Sequence, residues 1–331
     1  MNLNNKSILI TGGTGSFGKF FSHYISKKFK NIKKIVIYSR DELKQFEMSK
    51  EPFVKSDKRF RFFLGDIRDK ERLKLALKKI DIVIHTAALK QVPASEYNPF
   101  EFIKTNVLGA QNLIYACLDC DVKKVIALST DKAAAPVNLY GATKLCSDKL
   151  FSSTNNIIGN EQKIFTVVRY GNVMASRGSI IPEFFKQKKK GYFTITDKNM
   201  TRFNITLKEA SEMVLWSIKN SVGGEILVPK IPSFKVIDLA KSISKKCKIK
   251  YIGIRPGEKL HEEMITASDS YTTYDLGKYF AIINPSNEKS LNFYKKNYNK
   301  IKRGKSYNSL NNDKYLSDKD LKELIKNLNL D

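Results

Sequence analysis

Ser7-Ile8-Leu9-Ile10-Thr11, a short apolar run, leads directly into Gly12-Gly13-Thr14-Gly15-Ser16-Phe17-Gly18, and an amphipathic stretch over 17–29 follows. The order is strand, glycine turn, helix. A Gly-x-x-Gly-x-x-Gly spacing lets the backbone turn tightly and approach a pyrophosphate where a β-carbon would intrude, while the helix amino terminus supplies free N–H groups and a favourable dipole. An ordinary tight turn is the bland alternative, but a lone glycine triplet would lack the flanking strand and helix found here. Dinucleotide contacts are therefore expected from Gly12, Thr14, Gly15, Ser16, Phe17 and Gly18.

Outward from this loop, β-rich runs at 34–38, 60–64, 82–85, 125–129 and 166–169 alternate with amphipathic helical patterns at 70–79, 101–120 and 140–151. That rhythm predicts an α/β fold, a doubly wound parallel Rossmann sheet covered on both faces. After about residue 172, glycines and prolines break the chain into shorter elements, which predicts a smaller C-terminal substrate-binding region over the carboxyl edge of the sheet. The division expected is 1–171 for the cofactor domain, with segments returning to it from about 207–250, and 172–331 for the substrate region and tail. Ser317 reads as the cap of a last helix over 317–328. No internal repeat is found.

The 331 residues suffice for a sizeable core, and no apolar run approaches the roughly 18–20 residues that cross a bilayer. No membrane span is expected, and the amino terminus lacks the regions of a signal peptide, which places the protein in the cytoplasm. Cys117 and Cys120 form a lone Cys-x-x-Cys without a second ligand pair, so they read as packing and no metal is expected. The formal net charge is +26, with Lys+Arg 59 against Asp+Glu 33. The lysines are spread along the chain, which favours solvated faces and steering of an anionic substrate over nucleic-acid binding.

The second β-run ends Tyr38-Ser39-Arg40-Asp41. Ser39 and Arg40 suit the 2′-phosphate of NADP, while Asp41 points either way. Lys44, Ile67 and Ala87 are expected along the same cleft. Asp66 is placed to contact the adenine, with helix capping as its alternative. Tyr140-Gly141-Ala142-Thr143-Lys144 puts a phenol and an ammonium on one helical face, so that Lys144 is expected to lower the phenol's pKa and let Tyr140 act as a base. Just upstream, Thr130-Asp131-Lys132 adds a hydroxyl, an acid and a base at one sheet edge. Oxidation of an alcohol alone does not need that pair; loss of water from a neighbouring carbon does.

These motifs, with Ala88-Leu89-Lys90, Arg169-Tyr170-Gly171-Asn172-Val173, Met200-Thr201-Arg202-Phe203 and Arg255-Pro256-Gly257-Glu258-Lys259-Leu260-His261-Glu262, resemble the inverting UDP-N-acetylglucosamine 4,6-dehydratases of pseudaminic acid biosynthesis, in the extended short-chain dehydrogenase/reductase family. The resemblance implies catalytic roles for Thr130, Asp131, Lys132 and Tyr140, a ribose contact for Lys144, and substrate contacts from Lys90, Asn172, Arg202, Arg255 and Glu258. It further implies tightly bound, recycled NADP, UDP-N-acetylglucosamine as substrate, a homo-oligomer of which a hexamer is one form, and a place upstream of flagellin glycosylation. Retaining dehydratases, UDP-sugar 4-epimerases and a non-catalytic nucleotide-binding regulator are the rival readings. Gln91, Ala175 and Asn204 depart from the pattern, which usually has His, Gly and Trp there.

Overall fold

The computed structural model describes residues 3–158, 162–174 and 179–327. Its centre is a ten-stranded sheet whose first six strands in sequence are β1 (Ser7–Thr11), β2 (Lys34–Ser39), β3 (Phe60–Leu64), β4 (Ile82–His85), β5 (Lys124–Thr130) and β6 (Ile164–Tyr170). They lie in the order β3-β2-β1-β4-β5-β6, all parallel. The order reverses between β1 and β4, and at such a switch point the loops leaving the carboxyl ends of the strands part and open a crevice. Every residue of β1 and β4 is buried, as expected of strands covered by helices on both faces.

Later segments extend this sheet. Glu225–Pro229 pairs parallel with β6, and Tyr279–Ile283, Thr273–Asp275 and Asn299–Lys300 continue antiparallel at the edge. Helix Leu207–Asn220 packs on helix Ser16–Lys28 and on β5 and β6. Helix Val236–Ile243, in contrast, joins a second, smaller apolar cluster with Ile181, Phe184, Phe193, Phe234 and Leu321. The last helix, Asp318–Lys326, is capped by Ser317 through a reciprocal bond with Asp320 and lies on Val236–Ile243; the expected end of that helix, Leu328, falls outside the described residues. No helix among the described residues is long and apolar enough to cross a membrane.

The single helix read over 101–120 is not continuous. A π-helical turn, Ile103–Leu108, separates Pro99–Phe102 from Gly109–Asp119. The extra residue in the turn brings Asn106 inward. Its Oδ1 accepts from Leu89 N at 2.8 Å, and its Nδ2 donates to Leu89 O at 2.9 Å and to Thr143 Oγ1 at 3.0 Å. The bulge thus ties the loop after β4 to the helix that carries Tyr140 and Lys144.

Candidate active site

The glycine turn after β1 leaves β-carbon space on neither side. Gly12 has φ +63°, and a β-carbon there would lie 2.9 Å from the backbone of Ala87; one at Gly18 would lie 2.6 Å from Gly13 Cα. Helix Ser16–Lys28 starts at Gly15 with no side chain capping its free N–H groups. These groups face a cleft of about 980 Å³ lined by Gly12, Thr14, Gly15, Ser16, Phe17 and Gly18, then by Ser39, Arg40, Lys44, Asp66, Ile67 and Ala87, and at the far end by Thr130, Tyr140 and Lys144. An uncapped helix terminus at one end and a Tyr–Lys pair at the other fit a nicotinamide dinucleotide, the pyrophosphate at the turn and the nicotinamide near Tyr140.

At the adenosine end, Ser39 is buried and receives a hydrogen bond from Gln45 Nε2 at 3.0 Å. Asp41 caps the next helix, accepting from Lys44 N at 3.0 Å and pairing with the Lys44 ammonium. Its carboxylate is thereby engaged on its own helix. Arg40 is exposed, 3.7 Å from Asp66, and Asp66 also pairs with Arg68 at 2.8 Å. Burial works against the charge of Asp66, but Arg68 prevails and holds it below the usual carboxylate range.

At the carboxyl end of β5 the chain passes through a 3-10 turn, Asp131–Ala133, takes a left-handed conformation at Ala135 (φ +42°), and enters helix Leu139–Thr154. Asn138 caps that helix through Gly141 N at 2.7 Å and donates to Gly257 O at 2.7 Å, which docks the 255–262 segment. A β-carbon on Gly141 would lie 2.3 Å from the carbonyl oxygen of Lys132. Glycine here is what allows the first turn of the helix, and with it Tyr140, to sit directly against Lys132.

Lys132 is the hub. Its Nζ lies 3.1 Å from Asp131 Oδ1, 3.2 Å from Glu262 Oε1 and 3.4 Å from Asn172 Oδ1. Burial disfavours its charge, but Asp131 and Glu262 outweigh that and raise its pKa above the usual lysine value. Burial pushes Asp131 up, towards the neutral acid, with Lys132 only partly opposing. Glu262 goes the other way: burial is overcome by Lys132 and Arg202, and its carboxylate stays ionised. Asp131 is wholly buried behind Lys132, linked to the cleft through Thr130, whose Oγ1 donates to Asp131 Oδ1 at 3.0 Å.

Tyr140 is pushed up to about 12, first by burial, while Lys132 and then a hydrogen bond with Thr130 pull it down. The strongest influence that lowers the phenol is therefore Lys132, where the spacing pointed to Lys144. The Lys144 ammonium is buried and turned to Leu128 O at 2.8 Å, on the side of Asp148. Its pKa is lowered, chiefly by burial.

A second cavity of about 620 Å³ opens beside the first and shares Lys132, Asn172 and Val173 with it. Arg202, Arg255, Glu258, Lys259 and Glu262 are among the charged residues that line it with Lys132; Met174, Ile181, Phe184 and Phe234 supply apolar wall. Arg202 is buried, donates to Thr201 O at 2.8 Å and lies 3.5 Å from Glu258 and 3.7 Å from Glu262. Lys90 lies on the wall of the larger cleft, its pKa lowered by burial and by Lys132. Of the departures from the family pattern, Gln91 lines the larger cleft, Asn204 is buried against the smaller one, and Ala175 falls outside the described residues. Two residues at the site carried no expected role. Glu262 stood inside a quoted motif, but only the fold pairs it with Lys132; Asn106 was hidden in an apolar helical pattern.

The model of a family described as polysaccharide biosynthesis protein matches residues 8–284. The chain is 52% identical over 330 residues to the UDP-N-acetylglucosamine 4,6-dehydratase (inverting) of Campylobacter jejuni, covering 97% of this chain and 98% of that protein. It is 40% identical over 335 residues to a UDP-glucose 4-epimerase of Rickettsia canadensis, covering 98% and 96%. The solved structure of Pen from Bacillus thuringiensis matches with a TM-score of 0.88 at 37% identity, over 99% of this chain and 100% of that one.

Proposed function

The chain belongs to the polysaccharide biosynthesis protein family of extended short-chain dehydrogenases/reductases, and on that premise we propose that it is an inverting UDP-N-acetylglucosamine 4,6-dehydratase. The single observation that carries the proposal is Lys132, which lines both the dinucleotide cleft that carries Tyr140 and the second cavity, with the buried Asp131 3.1 Å behind it. A reaction that only oxidises and reduces carbon 4, as a 4-epimerase does, needs Tyr140 alone. Removing water across carbons 5 and 6 needs a further base and a further acid.

In this reading Tyr140 takes the proton of the carbon-4 hydroxyl, with Thr130 and Lys132 steadying the phenolate. The dinucleotide, when bound, supplies the hydride acceptor and donor, and NADP is the form that Ser39 and Arg40 favour. Lys132 removes the proton from carbon 5, which the neighbouring ketone has acidified. Asp131, held neutral by burial, provides the proton with which the carbon-6 hydroxyl leaves, through the Thr130 and Lys132 contacts that connect it to the cleft. Arg202 and Arg255 suit a diphosphate because a guanidinium offers a fork of charge-assisted hydrogen bonds. The product is the UDP-4-keto-6-deoxy-L-arabino-hexose derivative, an early intermediate of pseudaminic acid synthesis. A homo-oligomeric enzyme in the cytoplasm is part of the same reading.

An NMR time course with UDP-N-acetylglucosamine tests it. A new carbon-6 methyl signal and a ketone with inverted carbon 5 are expected. A methyl product with carbon 5 retained would give the retaining dehydratase; a UDP-hexose that keeps its carbon-6 hydroxyl would give the epimerase.

A further inference from the structure

Lys132 is asked to act as a base, yet the structure holds it as an ammonium. Two buried carboxylates flank it at 3.1 and 3.2 Å, those of Asp131 and Glu262. Each has one oxygen buried without a hydrogen-bond partner, Oδ2 of Asp131 and Oε2 of Glu262. The charged groups around this triad are Tyr140 and Lys90 on the cofactor side and Arg202 and Lys259 on the substrate side. Water is almost wholly excluded from both carboxylates, whose side chains are 0% and 3% exposed. Lys132 itself is 25% exposed where the two cavities meet; with cofactor and sugar covering that face, and Asp131 held as the neutral acid, the protein acceptor within reach of its proton is the Glu262 carboxylate at 3.2 Å.

We propose that Glu262 is the positioning residue that makes Lys132 a base, by holding its amine at the cavity and taking up its proton. This rests on the dehydratase reading and assigns Glu262 a role within it. The proton passes from Lys132 Nζ to the Glu262 carboxylate, leaving a neutral amine and a carboxylic acid with no change in net charge. The carbon-5 C–H bond then breaks. Its proton goes to the amine, its electron pair forms the carbon 5–carbon 6 double bond, and the carbon-6 hydroxyl departs as water with the proton of Asp131. The triad ends with the same total charge, one proton having moved from Asp131 to Glu262, and transfer back through the Lys132 ammonium restores it. Glu262 is the acceptor rather than Asp131 because burial already keeps Asp131 protonated, whereas Glu262 is held ionised against burial chiefly by Lys132 and then by Arg202, 3.7 Å away; as Lys132 gives up its proton the larger of those two influences goes with it, and burial then favours the protonated carboxyl. Its buried, unpartnered Oε2 is a free site on which the incoming proton can reside.

The proposal predicts a pH signature that a merely structural role does not produce. In the wild type the proton is relayed inside the protein, so the rate of carbon-5 deprotonation is flat across neutral pH. In Glu262→Gln, which keeps size and hydrogen bonding, Lys132 must release its proton to solvent, and the rate rises about tenfold per pH unit up to the lysine pKa. Because Glu262→Gln also removes a charge that raises Lys132, the slope, not the size of the loss at one pH, is what the experiment reads. Glu262→Asp, which keeps the carboxyl group, restores the flat profile. The measurement is a single turnover of the holoenzyme in heavy water, in which the rise of reduced-nicotinamide absorbance reads the Tyr140-dependent oxidation and its later decay, with deuterium at carbon 5 of the keto-deoxy sugar by NMR, reads the carbon-5 step apart from it; UDP binding by calorimetry checks that the cavity is intact. A Glu262→Gln enzyme with the wild-type profile, whether slower or not, overturns the proposal, as does a Glu262→Asp enzyme with the tenfold slope. Should Glu262→Gln not fold, the wild-type profile decides: a tenfold rise per unit in the wild type itself overturns the relay. If the wild type yields no keto-deoxy sugar, the dehydratase reading fails; if it does and the slope is absent from Glu262→Gln, only the role of Glu262 fails.

Discussion

The guanidinium of Arg169 and the carboxylate of Asp148 meet at 3.1 Å with both side chains only 2% exposed. Arg169 is the last residue but one of β6; Asp148 lies two turns beyond Tyr140 on the same helix. Asp148 also accepts from Ser129 Oγ at 2.8 Å, and Arg169 donates to Met264 O at 3.0 Å. The pair therefore joins β5, β6, the Tyr140 helix and the strand just after Glu262, and it sets the spacing on which the site depends. Removing Arg169 leaves the buried Asp148 without its counter-charge, and removing Asp148 leaves Arg169 only the more distant Asp269 at 3.8 Å, so Asp148→Asn or Arg169→Leu should lower stability by about 3–5 kcal/mol. Urea unfolding measures this. A double replacement by Leu and Met of similar volume should recover much of the loss, because no uncompensated charge remains; equal instability in the double variant would show that the strut acts by some other means.

Cofactor choice follows from the end of β2. Asp41, the residue that pointed either way in the sequence, is engaged with Lys44. Arg40 is left at the cleft with its guanidinium largely exposed. NADP should bind more tightly than NAD, and Arg40→Ala should remove much of the difference, about 1.5–3 kcal/mol for a lost hydrogen bond to a charged group. Calorimetric titration with both dinucleotides checks it; equal affinities in the wild type would refute the preference.

How much of this was legible beforehand depends on the range of the interactions involved. The glycine loop, the six parallel strands and the Tyr140 helix were readable because each is encoded by neighbours: an apolar run, a required absence of β-carbons, a repeat of three and four residues. The antiparallel edge was not: Thr273–Asp275 is only three residues long, and Tyr279–Ile283, though as long as β1, lies outside the strand–helix alternation that marked the others as one sheet. The π turn at Ile103–Leu108 leaves the apolar periodicity almost unchanged while moving Asn106 inward. Lys132 displaced Lys144 as the phenol's cation because spacing along a helix fixes which face a residue shares, not which way a long side chain turns once Leu128 O is within reach. The partnership of Glu262 with Lys132 spans the whole fold and has no local signature.

That displacement leads to a prediction that separates the two steps of the chemistry. Lys132 is the largest influence lowering Tyr140, which already stands at about 12. Lys132→Met should raise the phenol further, so that the base form is scarcer at any given pH and the profile for oxidation at carbon 4 moves to the alkaline side. The first hydride transfer should slow by roughly tenfold or more at neutral pH. Lys132→Arg keeps the positive charge but supplies no usable base, since a guanidinium does not deprotonate in proteins. It should oxidise carbon 4 near the wild-type rate and fail at elimination. Single-turnover measurement of reduced-nicotinamide absorbance reads the first step and NMR the second. Wild-type oxidation by Lys132→Met would return the task of lowering the phenol to Lys144.

The last prediction concerns the path of the hydrogens, which the joined cavities constrain. The dinucleotide cleft and the second cavity share Lys132, Asn172 and Val173, so one sugar at this junction can present carbons 4, 5 and 6 to the same nicotinamide and the same lysine. Substrate carrying deuterium at carbon 4 should therefore yield product carrying that deuterium in its carbon-6 methyl group, because the hydride removed in the first step is the one returned in the last. The transfer should stay within one sugar: a mixture of deuterated and differently labelled undeuterated substrate should give no crossed product, since the sugar remains bound between oxidation and reduction. Carbon 5 behaves differently. In the proposed mechanism its proton passes to Lys132, and inversion requires that a new one arrive on the opposite face, so reaction in heavy water should place solvent deuterium there. NMR and mass spectrometry of the product distinguish all three positions. Deuterium returned to carbon 4 with the carbon-6 hydroxyl intact would be the outcome of a 4-epimerase and would refute the dehydratase reading; deuterium lost from the sugar altogether would show that the hydride carrier exchanges with the medium, against a closed cycle at this site.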